Sequence, residues 1–205
     1  MACVPRAVLF TAVVAAAVSA TVLRGQQASI GYDDTPMQPD GKWRVHDSKR
    51  PRPPVVSTGT LTSVAPPSDA IVLLGPGSDR SRWQATDGSP VSWPMSGGVL
   101  ETGKGIIRTA AEFANIQLHV EFATPTEVMG NSQDRGNSGV FLAGVFEIQV
   151  LDSFDNPTYA DGQAAAMYGQ HPPLVNASHK PGEWQSYDIA FSAPRFNGAD
   201  LVSPA

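Results

Sequence analysis

Between residues 70 and 191 the apolar residues arrive in short runs, each closed off by Gly, Pro, Asn or Asp. This punctuation constrains the chain more than any other feature. Runs of about four to eight residues between turn formers suit β-strands and are too short for stable helices. The runs are "AIVLL" (70–74), "VSWPM" (91–95), "GGVLET" (97–102), "GIIRT" (105–109), "IQLHVEF" (116–122), "GVFLA" (139–143), "VFEIQVL" (145–151), "AAAMY" (164–168) and "WQSYDIAF" (184–191). One short helical turn is expected around 110–114. With 19 glycines and 18 prolines among 205 residues, the pattern predicts an all-β, antiparallel sandwich or jelly roll.

Alternation within the runs separates two faces, because residues i and i+2 of a strand share a side. In "NIQLHVEF" the residues Ile116, Leu118, Val120 and Phe122 oppose Gln117, His119 and Glu121. In "VFEIQVL", Glu147 and Gln149 oppose Phe146, Ile148 and Val150. "WQSYDIAF" alternates Gln185, Tyr187 and Ile189 with Trp184, Ser186, Asp188 and Ala190. A solvated outer face alternates in the same way. Solvated faces favour Lys, Thr and Ser, whereas Gln, His, Glu and Tyr recur here. Carboxylates, amides and flat rings together are what a sugar site requires, and they predict that several strands share a polar, ligand-facing surface.

Asp152 departs from the period and would point to the apolar side of a regular strand. A bulge at Leu151–Asp152 would turn it toward Glu147. Paired carboxylates of that kind are common equipment for glycoside cleavage. "DRGNSGVF" (134–141) places Arg135 and Asn137 between glycines just before a strand, either as a capped turn or as the border of the same face. The long segment from Asn156 to Asp188 adds Tyr159, Asp161, Gln163, Tyr168, Gln170, His171 and Lys180, in the kind of loop where sites are built.

Bulk properties narrow the partners. The formal charge is −5 with no basic run, which argues against nucleic acid and leaves a small ligand or carbohydrate open. His46, His119, His171 and His179 form no HxxxH or HxH pair, so a zinc site is not expected, while a harder ion on carboxylate and amide oxygens is compatible with the composition. No Gly-x-Ser-x-Gly elbow is present, so an α/β-hydrolase is not indicated.

The N-terminus has the form of a secretory signal. Arg6 precedes the apolar stretch "AVLFTAVVAAAVSATVL", and Val18-Ser19-Ala20 resembles a cleavage site. Residues 1–25 are read as a signal peptide, with a secreted or periplasmic protein and no membrane span after cleavage. The one cysteine, Cys3, lies inside this segment, which excludes thiol chemistry from the mature chain. Residues 26–68 read as a strap and linker: "GYDDTPMQPDGKWRVHD" is aromatic enough to pack on a domain, and Pro51, Pro53, Pro54, Pro66 and Pro67 keep the following stretch extended. Residues 69–205 form the domain. Asn197-Gly198 signals a hairpin whose second arm begins at Leu201 and Val202, so the sandwich is expected to lack C-terminal strands.

The stretch "NSGVFLAGVFEIQVLDSFDNPTYADGQAAAMYGQHPPLVNASHKPGEWQSYDIAFSAPRF" closely resembles the 3-keto-disaccharide hydrolase domain family. "FANIQLHVEFATP" and "GSDRSRWQ…GGVLETGKGIIRT" fit its earlier strands, and "GYDDTPMQPDGKWRVHD…RPPVV" looks like the strap of secreted planctomycete-type members. The resemblance implies a concanavalin-like jelly-roll sandwich whose members usually continue beyond "APRF". It also implies cleavage of glycosides oxidised to a ketone at C3. A C3 ketone acidifies the C2 proton. A base removes that proton, an ion or donor stabilises the enolate, an acid assists departure of the C1 substituent, and water then adds. On this reading the catalytic residues are Glu147, His119 and Asp152, with Glu147 or His119 as base. Gln149, Arg135, Asn137, Tyr159, Tyr168 and Lys180 bind substrate, with Arg135 and Lys180 polarising the carbonyl. Glu147, Gln149 and Asp152 are candidate ligands for a divalent cation such as calcium, and no organic cofactor is expected. The substrate would be an oligosaccharide or other glycoside. The competing reading is a non-catalytic sugar-binding module on the same sandwich.

Overall fold

The computed structural model describes residues 30–205 apart from 60–62 and 64. The signal-peptide segment lies outside the described residues. Within them the regular structure is ten antiparallel strands and three single 3-10 turns, with no α-helix. No helix among them is long and apolar enough to cross a membrane.

The strands are β1 (Trp83–Ala85), β2 (Met95–Ser96), β3 (Val99–Leu100), β4 (Ile107–Thr109), β5 (Ile116–Ala123), β6 (Ser138–Leu142), β7 (Phe146–Val150), β8 (Trp184–Phe191), β9 (Arg195–Asn197) and β10 (Asp200–Ser203). They form five antiparallel ladders: β1–β4, β2–β3, β5–β8, β6–β7 and β9–β10. The longest joins β5 to β8 in regular register from Ile116↔Phe191 to Ala123↔Trp184.

Directly paired residues share a side. One side of β5–β8 therefore carries Leu118, Val120, Phe122, Tyr187, Ile189 and Phe191. The Phe122 and Tyr187 rings meet edge-on at 4.7 Å, and Phe191 lies 6.0 Å from Phe146 of β7. The Tyr187 hydroxyl donates to the Gln149 carbonyl at 2.8 Å. The apolar side of β5–β8 thus packs on the apolar side of β6–β7, the layering of a concanavalin-like sandwich. Buried apolar side chains, among them Leu142, Leu151, Ala160, Ala164 and Ala166, continue into the loop after β7.

The β6–β7 hairpin turns tightly. Ala143 and Gly144 both adopt positive φ, 51° and 68°, and the Val145 N–H bonds back to the Leu142 carbonyl at 3.1 Å. Paired left-handed residues match the twist of the flanking strands.

Several expected strands differ. "AIVLL" is not a strand, and its Ile71 is 60% exposed. An apolar run without a neighbouring strand has no ladder to join. "AAAMY" gives only isolated bridges, from Met167 to Ile148 and to His171, and Ala165 turns at φ 66°. The segment 110–114 forms bends instead of a helical turn.

The N-terminal segment lies on the domain. Tyr32 bridges Asp47, Met37 bridges Arg44, and Val55 bridges Asn176 of the domain in parallel. The Asn176 N–H donates to the Pro54 carbonyl at 2.8 Å, and the Val56 N–H to the Asn176 carbonyl at 3.0 Å. Gly31 passes so close to Ser48 and the His46 carbonyl that a side chain there would collide with backbone.

Candidate active site

The outer side of β6–β7 is formed by Gly139 opposite Gln149 and Phe141 opposite Glu147. Glu147 is half-buried and its side chain lies across Gly139, filling the space that a Cβ there would need. Phe141 beside it is 46% exposed, a flat apolar surface next to a carboxylate. Burial raises the Glu147 pKa above the ordinary carboxylate value. Among the described residues no donor compensates this carboxylate, which places it to exchange protons instead of serving as a structural anion.

Gln149 is 1% exposed. Its Nε2 donates to Gln133 Oε1 at 2.9 Å and to Asn137 Oδ1 at 3.4 Å, while its Oε1 is buried without a partner. Asn137 in turn donates to the Gln133 carbonyl at 2.8 Å. Gln133 Nε2 donates to Thr158 Oγ1 at 2.9 Å and to the Gly162 carbonyl at 3.0 Å. This amide chain ties β6 and β7 to the loop that follows them.

That loop returns along the free edge of β7. The Gln149 N–H donates to the Ala166 carbonyl, the Ala165 N–H to the Gln149 carbonyl, and the Tyr168 N–H to the Glu147 carbonyl. The antiparallel bridge between Ile148 and Met167 sets Tyr168 opposite Glu147. Tyr159 and Tyr168 join through their hydroxyls at 2.7 Å, and burial is the main reason the Tyr159 pKa is raised.

The N-terminal segment reaches the same place. The His46 ring lies 4.1 Å from Tyr159 and 4.9 Å from Tyr168 by centroid. Its Nδ1 is 3.2 Å from Asp161 Oδ1, and its backbone N–H donates to Asp161 Oδ2 at 3.0 Å. A carboxylate only accepts, so Nδ1 carries the proton. Gln38 Nε2 also donates to Asp161 Oδ2, at 3.3 Å, and Arg50 stands 3.8 Å from it. Asp161 is fully buried. Desolvation pushes its pKa up, the hydrogen bonds from His46 outweigh this, and the carboxyl is held below its usual value. A polar cleft of about 270 Å³ opens beside this contact, lined by Asp47, Ser48, Arg50, Arg52, Thr158 and Tyr159.

The residues read from the sequence thus divide. Glu147, Gln149, Asn137, Tyr159 and Tyr168 come together. Asp152 does not join them. The β6–β7 register is regular up to its last pair, Ser138↔Val150, and Asp152 lies two residues beyond it, its backbone N–H on the Arg135 carbonyl at 3.3 Å. Its carboxylate, 3% exposed, accepts from Arg135 Nε at 2.7 Å and Nη2 at 2.6 Å, and from the Phe154 N–H at 3.2 Å. Arg135 is occupied by this pair and by the Phe154 carbonyl at 3.0 Å.

His119 lies on the outward side of β5–β8, opposite to Val120 and Tyr187, which face β7. There its Nδ1 is 2.7 Å from Asp188 and its Nε2 is 3.5 Å from Glu121. Lys180 is exposed in the turn before β8, with its backbone N–H on Glu183. A cation held by Glu147, Gln149 and Asp152 does not fit these positions. Asp152 is already neutralised by Arg135. Among the described residues, no three or more His, Cys, Asp or Glu side chains gather as a metal site.

Sequence reasoning missed Gln133, which links the strands to the loop, and the roles of His46, Arg50 and Gln38. His46 and Asp161 are 115 positions apart, and no local periodicity connects them. The available signal was the aromatic and charged make-up of a segment otherwise rich in turn formers.

Residues 69–199 match the model of the 3-keto-alpha-glucoside-1,2-lyase-like domain. A solved structure described as a "putative glycosyl hydrolase from Parabacteroides distasonis ATCC 8503" is 42% identical, with a TM-score of 0.66. The similarity covers 82% of this chain and 74% of that one. No curated protein matches the chain. With its family match extending over most of the chain and spanning the strands and loop that carry Glu147, Gln149 and Asp161, the protein belongs to the 3-keto-alpha-glucoside-1,2-lyase-like domain family.

Proposed function

We propose that this protein cleaves the glycosidic bond of 3-keto-glycosides outside the cytoplasm, with Glu147 as the base that removes the C2 proton. The observation that carries this reading is the half-buried Glu147 carboxylate, whose pKa is raised by burial and which stands in line with Phe141 and Tyr168. A base works best when its pKa lies near the operating pH, and desolvation moves a carboxylate in that direction. Phe141 and Tyr168 offer flat surfaces for a sugar ring, and Asn137 offers an amide for its hydroxyls.

The chemistry follows from the ketone. Glu147 takes the proton from C2. The C2–H electron pair becomes the enolate of the C3 ketone, then forms the C1–C2 double bond as the C1–O bond breaks, and the departing oxygen takes up a proton. Addition of water to the resulting enone completes a hydrolysis, and release before addition makes the same enzyme a lyase. Family membership and the likeness to the Parabacteroides protein support a glycoside as substrate. The apolar run after Arg6 supports export.

A non-catalytic sugar-binding module is the second reading, favoured by one observation: His119 and Asp152 do not converge on Glu147. Turnover separates the two. The full chain is incubated in D2O with a 3-keto-glucoside, and C2 deuteration and release of the C1 substituent are followed by NMR. Exchange and release that fall at least ~100-fold in Glu147→Gln support the enzyme. Binding without exchange or release assigns the protein as a module.

A further inference from the structure

We propose that the N-terminal segment supplies the second proton-transfer group of this reaction: His46, oriented by Asp161, protonates the leaving oxygen at C1. The inference rests on the glycoside-cleaving reading and adds a residue that lies outside the family-matched region, which begins at residue 69.

Several independent features single out His46. It is held at two points by one carboxylate, through Nδ1 to Asp161 Oδ1 at 3.2 Å and through its backbone N–H to Oδ2 at 3.0 Å. That carboxylate is wholly buried and fixes the direction of the ring. His46 adopts φ 56°, a left-handed conformation that a non-glycine residue keeps only when its surroundings impose it, and such strain collects at functional sites. Tyr159 and Tyr168 pack against the ring, with Tyr32 further out at 6.3 Å. The side chain is 15% exposed, so the ring is sheltered yet reachable.

The placement relative to the base completes the case. Tyr168 spans the two: its backbone N–H is bonded to the Glu147 carbonyl, and its ring contacts His46. A base and an acid on either side of one aromatic residue match an elimination in which a proton leaves C2 and another is then delivered to the oxygen on C1. The electron pair of the C2–H bond first becomes the enolate of the C3 ketone and then the C1–C2 double bond, the pair of the C1–O bond stays on oxygen, and this oxygen takes the proton from His46 Nε2. Asp161 is a positioning residue that never touches substrate. The other groups facing His46 are Arg50, 3.8 Å from Asp161, and the phenols of Tyr159, Tyr168 and Tyr32, with Asp47 next in the chain.

A leaving-group comparison tests this. His46→Gln and the unaltered chain are assayed on a methyl 3-keto-glucoside and a nitrophenyl 3-keto-glucoside, with C2 deuterium exchange followed in parallel. Nitrophenolate departs without a proton, whereas methoxide needs one. The expected result is a loss of about 100-fold or more on the methyl substrate, little change on the nitrophenyl substrate and intact C2 exchange. Equal losses on both substrates, or no loss on either, would overturn the role of His46 while leaving the base assignment standing. An unaltered chain that neither exchanges the C2 proton nor releases either group would overturn the activity itself, and the acid role with it.

Discussion

The carboxylate of Glu147 occupies the space above Gly139, where a β-carbon would collide with it. The absence of a side chain at one position therefore sets the direction of an acid eight residues away on the neighbouring strand. Gly139→Ala should push Glu147 off its present course and lower turnover by ten-fold or more, because ångström-scale misplacement of a reacting group costs about that much. Steady-state kinetics and a melting curve on the same preparation check it. A variant with unchanged turnover would show that the exact position of the carboxylate is immaterial.

Glu147 also carries a stability signature. Its folded-state pKa is raised by burial, so the native state binds the proton more tightly than the unfolded chain. The native state is then favoured at low pH, and stability falls as pH rises through the folded pKa. Glu147→Gln should melt higher than the unaltered chain at neutral pH, with the difference shrinking as pH falls through the folded pKa and gone below about 4.3, the ordinary glutamate value. Activity should run oppositely and rise with pH through the same window, because only the ionised carboxylate accepts a proton.

The Arg135–Asp152 pair makes a different prediction. Both partners are largely buried and joined at 2.6–2.7 Å. Arg135→Leu leaves a buried carboxylate unpaired and should cost about 3–5 kcal/mol. Removing both charges, as Arg135→Leu with Asp152→Asn, should recover much of that loss. Denaturant unfolding of the single and double variants measures the difference, and an equally large loss in the double variant would argue against charge burial as the cause.

His119 is predicted to matter for neither turnover nor substrate affinity. Its pKa is raised, chiefly by the hydrogen bond with Asp188, with burial opposing and Glu121 assisting. The resulting stabilisation is fully present below about pH 6.5, the unfolded value, and is lost as pH rises through the folded pKa. The pair is exposed, so the effect should stay below about 1 kcal/mol. Asp188→Asn should flatten this part of the pH–stability curve, and His119→Gln should leave kcat within a few-fold. A large kcat loss would return His119 to the candidate bases.

Tyr187→Phe removes the hydroxyl that joins the two layers at the Gln149 carbonyl. The carbonyl keeps its bond from Ala165, so the cost should be limited to about 0.5–1.5 kcal/mol. Thermal melting checks this, and a cost above about 3 kcal/mol would mean that the hydroxyl does more than bridge.

The fold was legible where a strand was long. β5 and β8 keep a two-residue period over their whole length, and their observed sides agree with that period. It failed where only the identity of a run was available: "AIVLL" is as apolar as a strand and stays unpaired, and the three-residue β1 is too short to show a period. The site was half legible for the same reason. Alternation placed Glu147 and Gln149 together, because that is a local property of one strand. It also called for a bulge to bring Asp152 to them, whereas Arg135, from the preceding turn, holds that carboxylate two residues past the last pair of β7. His119 shares a polar face with Asp188, but two sheets have two outward faces, and alternation cannot tell which of them a strand will join.

The contact between His46 and Asp161 has a practical consequence for anyone expressing this protein. A clone trimmed to the family-matched residues 69–199 would retain every strand from β1 to β9, yet it would strip Asp161 of its imidazole, amide and guanidinium neighbours. Boundaries drawn from sequence similarity alone would cut the gene between an acid and the base that keeps it ionised.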